Sequence, residues 1–263
     1  MSFRWNNETI IIDAPKAYSD MDAIYLNVGE SSTLSITHTL KKTELSYTLS
    51  EENVVAFDMK TGKIVALNGG ETQLTITSGN ENYKPFVFTI KVGDGATNSS
   101  PYYIKTIEDL KAIGGTRKYG EVEKTWSNSA NYAIVSDIEL DEESEWTPLC
   151  STDSFTGTLN GNFHTISNFK MTQQGRYAGL FAMIGELAEV HSITFKNPVI
   201  NGRYDFAGIV SAMNKASKIS MITVKNASIK VAPFDTNFPK AKQSTCFVGG
   251  IVGAIMGSYT GMD

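Results

Sequence analysis

The sequence is poor in the residues that build covalent or metal-held folds. Two cysteines, Cys150 and Cys246, stand in 263 residues, too few for a disulfide framework. One bridge between them is compatible with that count and not required by it. Three histidines, His38, His164 and His191, are scattered singly, without the paired spacing of a zinc site. No metal or other cofactor is expected. No apolar run reaches the roughly 18 residues of a spanning helix, which leaves out membrane insertion. The opening MSFRWNNETIIID lacks the apolar stretch and small-residue cleavage site of a secretory leader. Lys and Arg number 23 against 28 Asp and Glu, for a net charge of -5. With no basic run to follow a phosphate backbone, nucleic acid is not an expected partner.

Helical periodicity is also nearly missing. The one candidate runs from Thr106 to Ile113. Thr106 can cap the first turn, Asp109 stands where a capping box needs an acceptor, and Gly114-Gly115 ends the segment. Elsewhere Thr, Ser, Val and Ile recur in short runs broken by Gly, Asn and Asp, the pattern of an all-β protein.

The length suits about two domains. Residues 1–22 read as an N-terminal arm. Period-two alternation then begins at Ala23-Ile24-Tyr25-Leu26-Asn27-Val28, turns at Gly29-Glu30 and resumes at Thr33-Leu34-Ser35-Ile36, which predicts a half-buried hairpin. Further strands are expected at Leu45–Leu49, Val54–Phe57, Lys63–Leu67, Thr72–Thr77 and Pro85–Val92. So many short strands in one stretch suggest a sandwich over residues 23–92. The run Gly93-Asp94-Gly95-Ala96-Thr97-Asn98-Ser99-Ser100-Pro101 is all turn formers and reads as a linker over 93–101.

Within this first stretch, LNVGESSTLSI and LSYTLSEENVVAFDMKTGKIVALNGGETQLTIT resemble the bacterial immunoglobulin-like domains of group 2. The most specific part is Thr61 to Leu67 followed by Gly69-Gly70. Tyr47 stands where many members carry Trp, and either ring fills a core between sheets. The resemblance implies an immunoglobulin-like sandwich serving most often as a spacer or display module.

The remainder, 102–263, repeats itself. Residues 190–197 read VHSITFKN and residues 219–226 read ISMITVKN, 29 positions later. Ala178-Gly179-Leu180-Phe181 returns after the same interval as Ala207-Gly208-Ile209-Val210, and again in Gly249-Gly250-Ile251-Val252-Gly253. A unit this short cannot bury its own apolar face, so successive units stack into a solenoid. Gly161, Gly179, Gly208 and Gly250 are the expected positions of sharp turns or close approach between coils. Asn197 and Asn226 end the repeated phrase and suit a left-handed turn or a hydrogen-bonded stack.

Trp146-Thr147-Pro148-Leu149 and FTGTLNGNFHTI at residues 155–166 resemble the opening of GLUG-motif β-solenoids. That family continues with repeats of the GglvG type. Asn160 and Phe163 depart from its usual Asp and Gly, and residues 231–245 delay the third repeat. The fold expected is therefore all-β: an immunoglobulin-like β-sandwich followed by a right-handed parallel β-helix-like solenoid.

Catalytic material is thin. Asp137, Glu139, Asp141, Glu142, Glu143 and Glu145 form an acidic run without a glycine-kinked calcium loop, and a solvated turn is the simpler reading. Between Val190 and Val231 the only carboxylate is Asp205, poor provision for the paired acids of a glycosidase. Trp126, Tyr132, Tyr177 and Tyr204 are candidates for sugar stacking, against a simpler role in core or edge packing.

The two resemblances together imply a non-enzymatic display or attachment protein. Without a leader, the leading expectation is a phage capsid, fibre or tail component assembled in the host cytoplasm. Phe3, Trp5, Ile10, Ile11 and Ile12 are then the candidate particle-binding residues, other virion proteins or further copies of the chain the partners, and host-surface glycans the candidate ligands. A secreted bacterial surface adhesin is the alternative and a glycan-degrading tailspike enzyme the third reading.

Overall fold

The computed structural model describes residues 2–5, 8–13, 23–38, 45–79, 82–232 and 246–256. Two compact units emerge. One holds residues 1–103 with 118–124, the other residues 104–117 with 125–263.

The first unit is built from β1 (Ser2–Trp5), β2 (Glu8–Asp13), β3 (Ala23–Asn27), β4 (Ser31–Thr33), β5 (Ser35–His38), β6 (Leu45–Leu49), β7 (Val55–Asp58), β8 (Lys63–Ala66), β9 (Gly70–Ser78) and β10 (Phe86–Gly93). They form three sheets, ordered β3-β10-β9-β6, β4-β8-β7 and β1-β2-β5. Alternation along β9 and β10 turns Leu74, Ile76, Phe86, Phe88, Ile90 and Val92 into one core with Val55, Phe57, Ile64 and Ala66 of the second sheet. The expected hairpin of 23–36 does not form. β3 pairs in parallel with β10, while β4 pairs with β8 and β5 with β2. The turn at Gly29 carries the chain from one sheet to another, and alternation alone carries no information about which strand is the partner.

Of the expected N-terminal arm, residues 2–5 and 8–13 are described, and they form strands. β2 pairs antiparallel with β5, and Ile10 and Ile12, 1% and 0% exposed, belong to the core of this unit. After β10, residues 94–100 close a tight loop, with the Asp94 and Gly95 amides donating to Ser100 O and Ser100 Oγ donating to Asp94 Oδ1.

Next along the chain come β11 (Tyr102–Ile104), α1 (Ile107–Lys111), β12 (Gly115–Tyr119) and β13 (Val122–Trp126), of which α1 lies wholly in the second unit while residues 102–103 and 118–124 belong to the first. Helix α1 has the expected start. The Asp109 amide donates to Thr106 Oγ1, and Asp109 Oδ2 accepts from the Thr106 amide. Asp109 is buried and also accepts from Arg117 Nε at 2.6 Å, so its charge is compensated.

The β-solenoid follows, about five turns long. Its strands are β14 (Asn131–Ile134), β15 (Ile138–Glu139), β16 (Thr158–Asn160), β17 (Thr165–Ser167), β18 (Lys170–Met171), β19 (Gln174–Ala178), β20 (Phe181–Ile184), β21 (Glu189–Lys196), β22 (Val199–Ala207), β23 (Ser211–Lys215), β24 (Lys218–Lys225), β25 (Ser228–Ala232), β26 (Phe247–Val248) and β27 (Val252–Met256). Among the described residues these strands pair in parallel throughout, and inward residues stand in columns. Tyr132, Leu159, Val190 and Ile219 form one; Ile138, Ile166, Phe195 and Val224 form a second; Met171, Ile200 and Ile229 form a third. Each fully buried Leu, Ile or Phe in such a column contributes roughly 1.5–3 kcal/mol. Phe155 and Phe181 stack inside with centroids 4.5 Å apart.

Candidate functional surface: the ladders and the last coil

The corners of the coils are as regular as the strands. Asn168, Asn197 and Asn226 have φ of 60°, 55° and 55°, the left-handed region that Asn tolerates better than most residues. That geometry aims their side chains along the stack. Asn226 Nδ2 donates to Asn197 Oδ1 at 3.3 Å, Asn197 Nδ2 donates to Asn168 Oδ1 at 3.3 Å, and Asn168 Nδ2 donates to Leu140 O at 3.4 Å. Asn197 and Asn226 thus belong to one polar ladder. Asn168, which the repeated phrase does not contain, begins it.

A second corner column, Phe163, Ser192 and Met221, is also left-handed, with φ of 64°, 59° and 52°. Phe163 and Met221 are exposed there and Ser192 is buried. Charges are arranged across coils too. Lys215 Nζ lies 2.9 Å from Glu186 Oε1, and Lys218 Nζ 3.2 Å from Glu189 Oε1.

The outer face carries an aromatic ladder. Tyr177 and Phe206 have centroids 6.0 Å apart, and Phe206 stacks on Phe247 at 5.4 Å with planes 6° apart. Arg176 lies 5.3 Å from the Tyr177 ring centre, a cation–π distance. Of the four aromatic residues read as sugar-stacking candidates, Trp126, Tyr132 and Tyr204 are buried, and Tyr177 alone reaches the surface, within this ladder.

The glycines divide. A Cβ on Gly161 would meet Ser192 O at 2.3 Å, and one on Gly179 would meet Gly208 O at 2.6 Å, so both sit where backbone of the neighbouring coil passes. Gly208 in turn lies against Gly253. Gly250 is different, with nothing within 4 Å of its would-be Cβ. Because Ala207 pairs with Val248, Gly249 follows Gly208 in the column. Backbone pairing across the long insertion sets this register, and the Gly-Ile-Val phrase that aligns Gly250 with Gly208 is off by one.

The remaining candidates stay apart. His164 is buried with Nδ1 3.2 Å from Asp137 Oδ1, while His191 Nδ1 faces Ser192 Oγ at 3.0 Å. Within the acidic run, Asp137 accepts from the Thr165 amide and Glu145 from the Thr172 amide. No group of three metal-ligating side chains gathers among the described residues. Cys150 and Cys246 are free thiols. Burial pushes the Cys150 thiol up to about 12. Ile10 and Ile12, read as particle-binding, are core residues. Ile11 is half-buried, and the side chains of Phe3 and Trp5 lie outside the described part.

At the last coil the columns lose their cover. Val190, Ile193, Phe195 and Ile200 are at most 1% exposed, whereas Ile219, Ile222, Val224 and Ile229 one coil later are half-buried. Ile255 is 79% and Phe247 51% exposed. A hollow of about 430 Å³ opens here, lined by Ile219, Ile222, Ile251, Val252 and Ile255 among others.

No protein-family model matches the chain, and no solved structure matches it. Among curated proteins it is similar to halomucin of Haloquadratum walsbyi, with 33% identity over 124 residues, or 43% of this chain. The match spans 1% of the length of that relative.

Proposed function

We propose that the chain is a non-enzymatic structural and attachment module of a surface-displayed protein. The observation that carries the reading is the stacked repeat. Outward chemistry recurs coil after coil, Asn168 below Asn197 below Asn226 and Glu189 below Lys218, which suits an extended surface more than an enclosed reaction site. The likeness to halomucin supports surface display. The near absence of carboxylates along the later coils, with Asp205 alone between Val190 and Val231, argues against a glycosidase pair.

In this reading the first unit is an immunoglobulin-like spacer of the group 2 type, supported by a single core shared between two sheets, and the second is a GLUG-like solenoid. The likeness to halomucin favours a cell envelope as the place of display over a phage particle. Immunogold labelling with an antibody to the folded protein tests both settings, on intact cells and on purified particles. Label on the outside of either supports the display reading, and label confined to the cell interior overturns it. Release of reducing or unsaturated ends from capsular polysaccharide would overturn the non-enzymatic part.

A further inference from the structure

Left-handed positions of the solenoid are filled by Asn162, Asn168, Asn197 and Asn226, asparagine being the residue that tolerates such backbone best after glycine. Phe163 stands beside Asn162 with φ of 64° and is 72% exposed. A phenylalanine there carries the left-handed penalty of a Cβ residue and recovers little of it by burial. Strain that packing does not explain points to function.

The surroundings of the ring are polar. Asn160, His191 and Ser220 stand in register on β16, β21 and β24, about 4.8 Å from one coil to the next. Each follows an inward residue of the column Leu159, Val190 and Ile219, so all three face outward, and each is half-buried. The Phe163 amide donates to Ser192 O at 2.7 Å, which seats the residue next to His191. The Nδ1 of His191, 3.0 Å from Ser192 Oγ, orients the imidazole. An amide, an imidazole and a hydroxyl between them donate and accept. One flat apolar face beside such a row is complementary to a pyranose, which presents C–H bonds on a ring face and hydroxyls around its edge.

A protein partner fits less well. The other exposed apolar side chain of this left-handed column, Met221, stands two coils on, with buried Ser192 between. The apolar surface is therefore discontinuous, whereas a protein interface of standard size covers about 800 Å² on each partner.

We propose that Phe163 is the stacking platform of a saccharide-binding subsite, with Asn160, His191 and Ser220 hydrogen-bonding the hydroxyls of the sugar. The inference rests on the attachment reading and names its ligand class. Sugar binding and surface label are separate measurements, so a failure of one is distinguishable from a failure of the other.

The full chain is titrated with the methyl glycosides of glucose, galactose, mannose and N-acetylglucosamine, and binding is read by saturation-transfer NMR and amide shifts. At least one is expected to bind in the millimolar range of a single sugar contact, with shifts at residues 160–164 and 191–192. Sorbitol, which has hydroxyls and no ring face, should leave those amides unchanged. Phe163→Gly should weaken the sugar about tenfold and yet melt at, or up to about 3 °C above, the parent temperature, because glycine suits this backbone. Leu187 is the internal control, 90% exposed at φ of 67° with no flat ring. Leu187→Gly relieves strain in the same way and should leave sugar binding unchanged. The proposal is overturned if none of the four glycosides binds, if sorbitol gives the same shifts, or if Phe163→Gly keeps the parent affinity. A melting temperature lowered by several degrees in Phe163→Gly also overturns it, because the ring would then be a packing residue.

Discussion

Asn197 stands between two asparagines, donating to Oδ1 of Asn168 and accepting from Nδ2 of Asn226, each at 3.3 Å. The relationship depends on a backbone φ of 55° at Asn197. Asn197→Ala therefore loses two exposed hydrogen bonds and adds the left-handed penalty of a Cβ residue, together about 2 kcal/mol. Asn197→Gly keeps the backbone and loses the amide, and should cost about half as much. Denaturant unfolding of the two variants checks this: a glycine variant as stable as the parent would mean that the ladder contributes nothing, and equal losses would mean that the left-handed backbone costs nothing.

The glycine columns give a contrast that sequence alignment alone would not. Gly208 lies where a Cβ would meet Gly253 N at 2.5 Å, whereas a Cβ on Gly250 meets open space. Gly208→Ala is expected to destabilise the solenoid by roughly 1–3 kcal/mol, the range of overpacked cores. Gly250→Ala should stay within about 0.5 kcal/mol of the parent, as an exposed change does. Thermal melts of the two proteins decide whether Gly249 or Gly250 continues the column.

Ile12 is fully buried in the first unit on a strand that pairs with β5. Ile12→Ala should thus cost about 2–5 kcal/mol, the usual range for a truncated core isoleucine. Were the segment a detached anchor, the same substitution would leave unfolding unchanged and weaken only attachment. Guanidinium titration with and without the substitution separates the two.

These cases show where the sequence was informative. The solenoid was legible because stacking forces every coil to repeat its inward Ile, Val and Phe at one interval, and Val190 and Ile219 do pair across that interval. Strands of the first unit were legible through alternation, yet alternation is silent about partners, and β3 and β4 went to different sheets. Ile10 and Ile12 show the same alternation as a core strand, and a polar stretch before Ala23 masked their membership. The outer ladder of Tyr177, Phe206 and Phe247 was hidden by the insertion, which sets the last two residues 41 positions apart while their rings lie 5.4 Å apart.

Cys150 supplies a prediction that depends on pH. Its thiol is pushed up from 9.0 to about 12, chiefly by burial and next by the charge of Asp153. Thiolate is the reactive form, and near pH 8 its fraction at native Cys150 is about a thousandfold below that in the unfolded chain, so alkylation should slow by a factor on that order. The folded state holds this proton more tightly than the unfolded state does. Its contribution to stability is therefore fully present below pH 9.0 and falls as pH rises from 9.0 toward about 12. Site-resolved mass spectrometry of alkylation checks the first statement. For the second, urea unfolding across that pH range should show the parent losing stability more steeply than Cys150→Ala. Equal alkylation rates in native and denatured protein would mean that the thiol reaches solvent freely, and the difference in pH slope should then vanish with it.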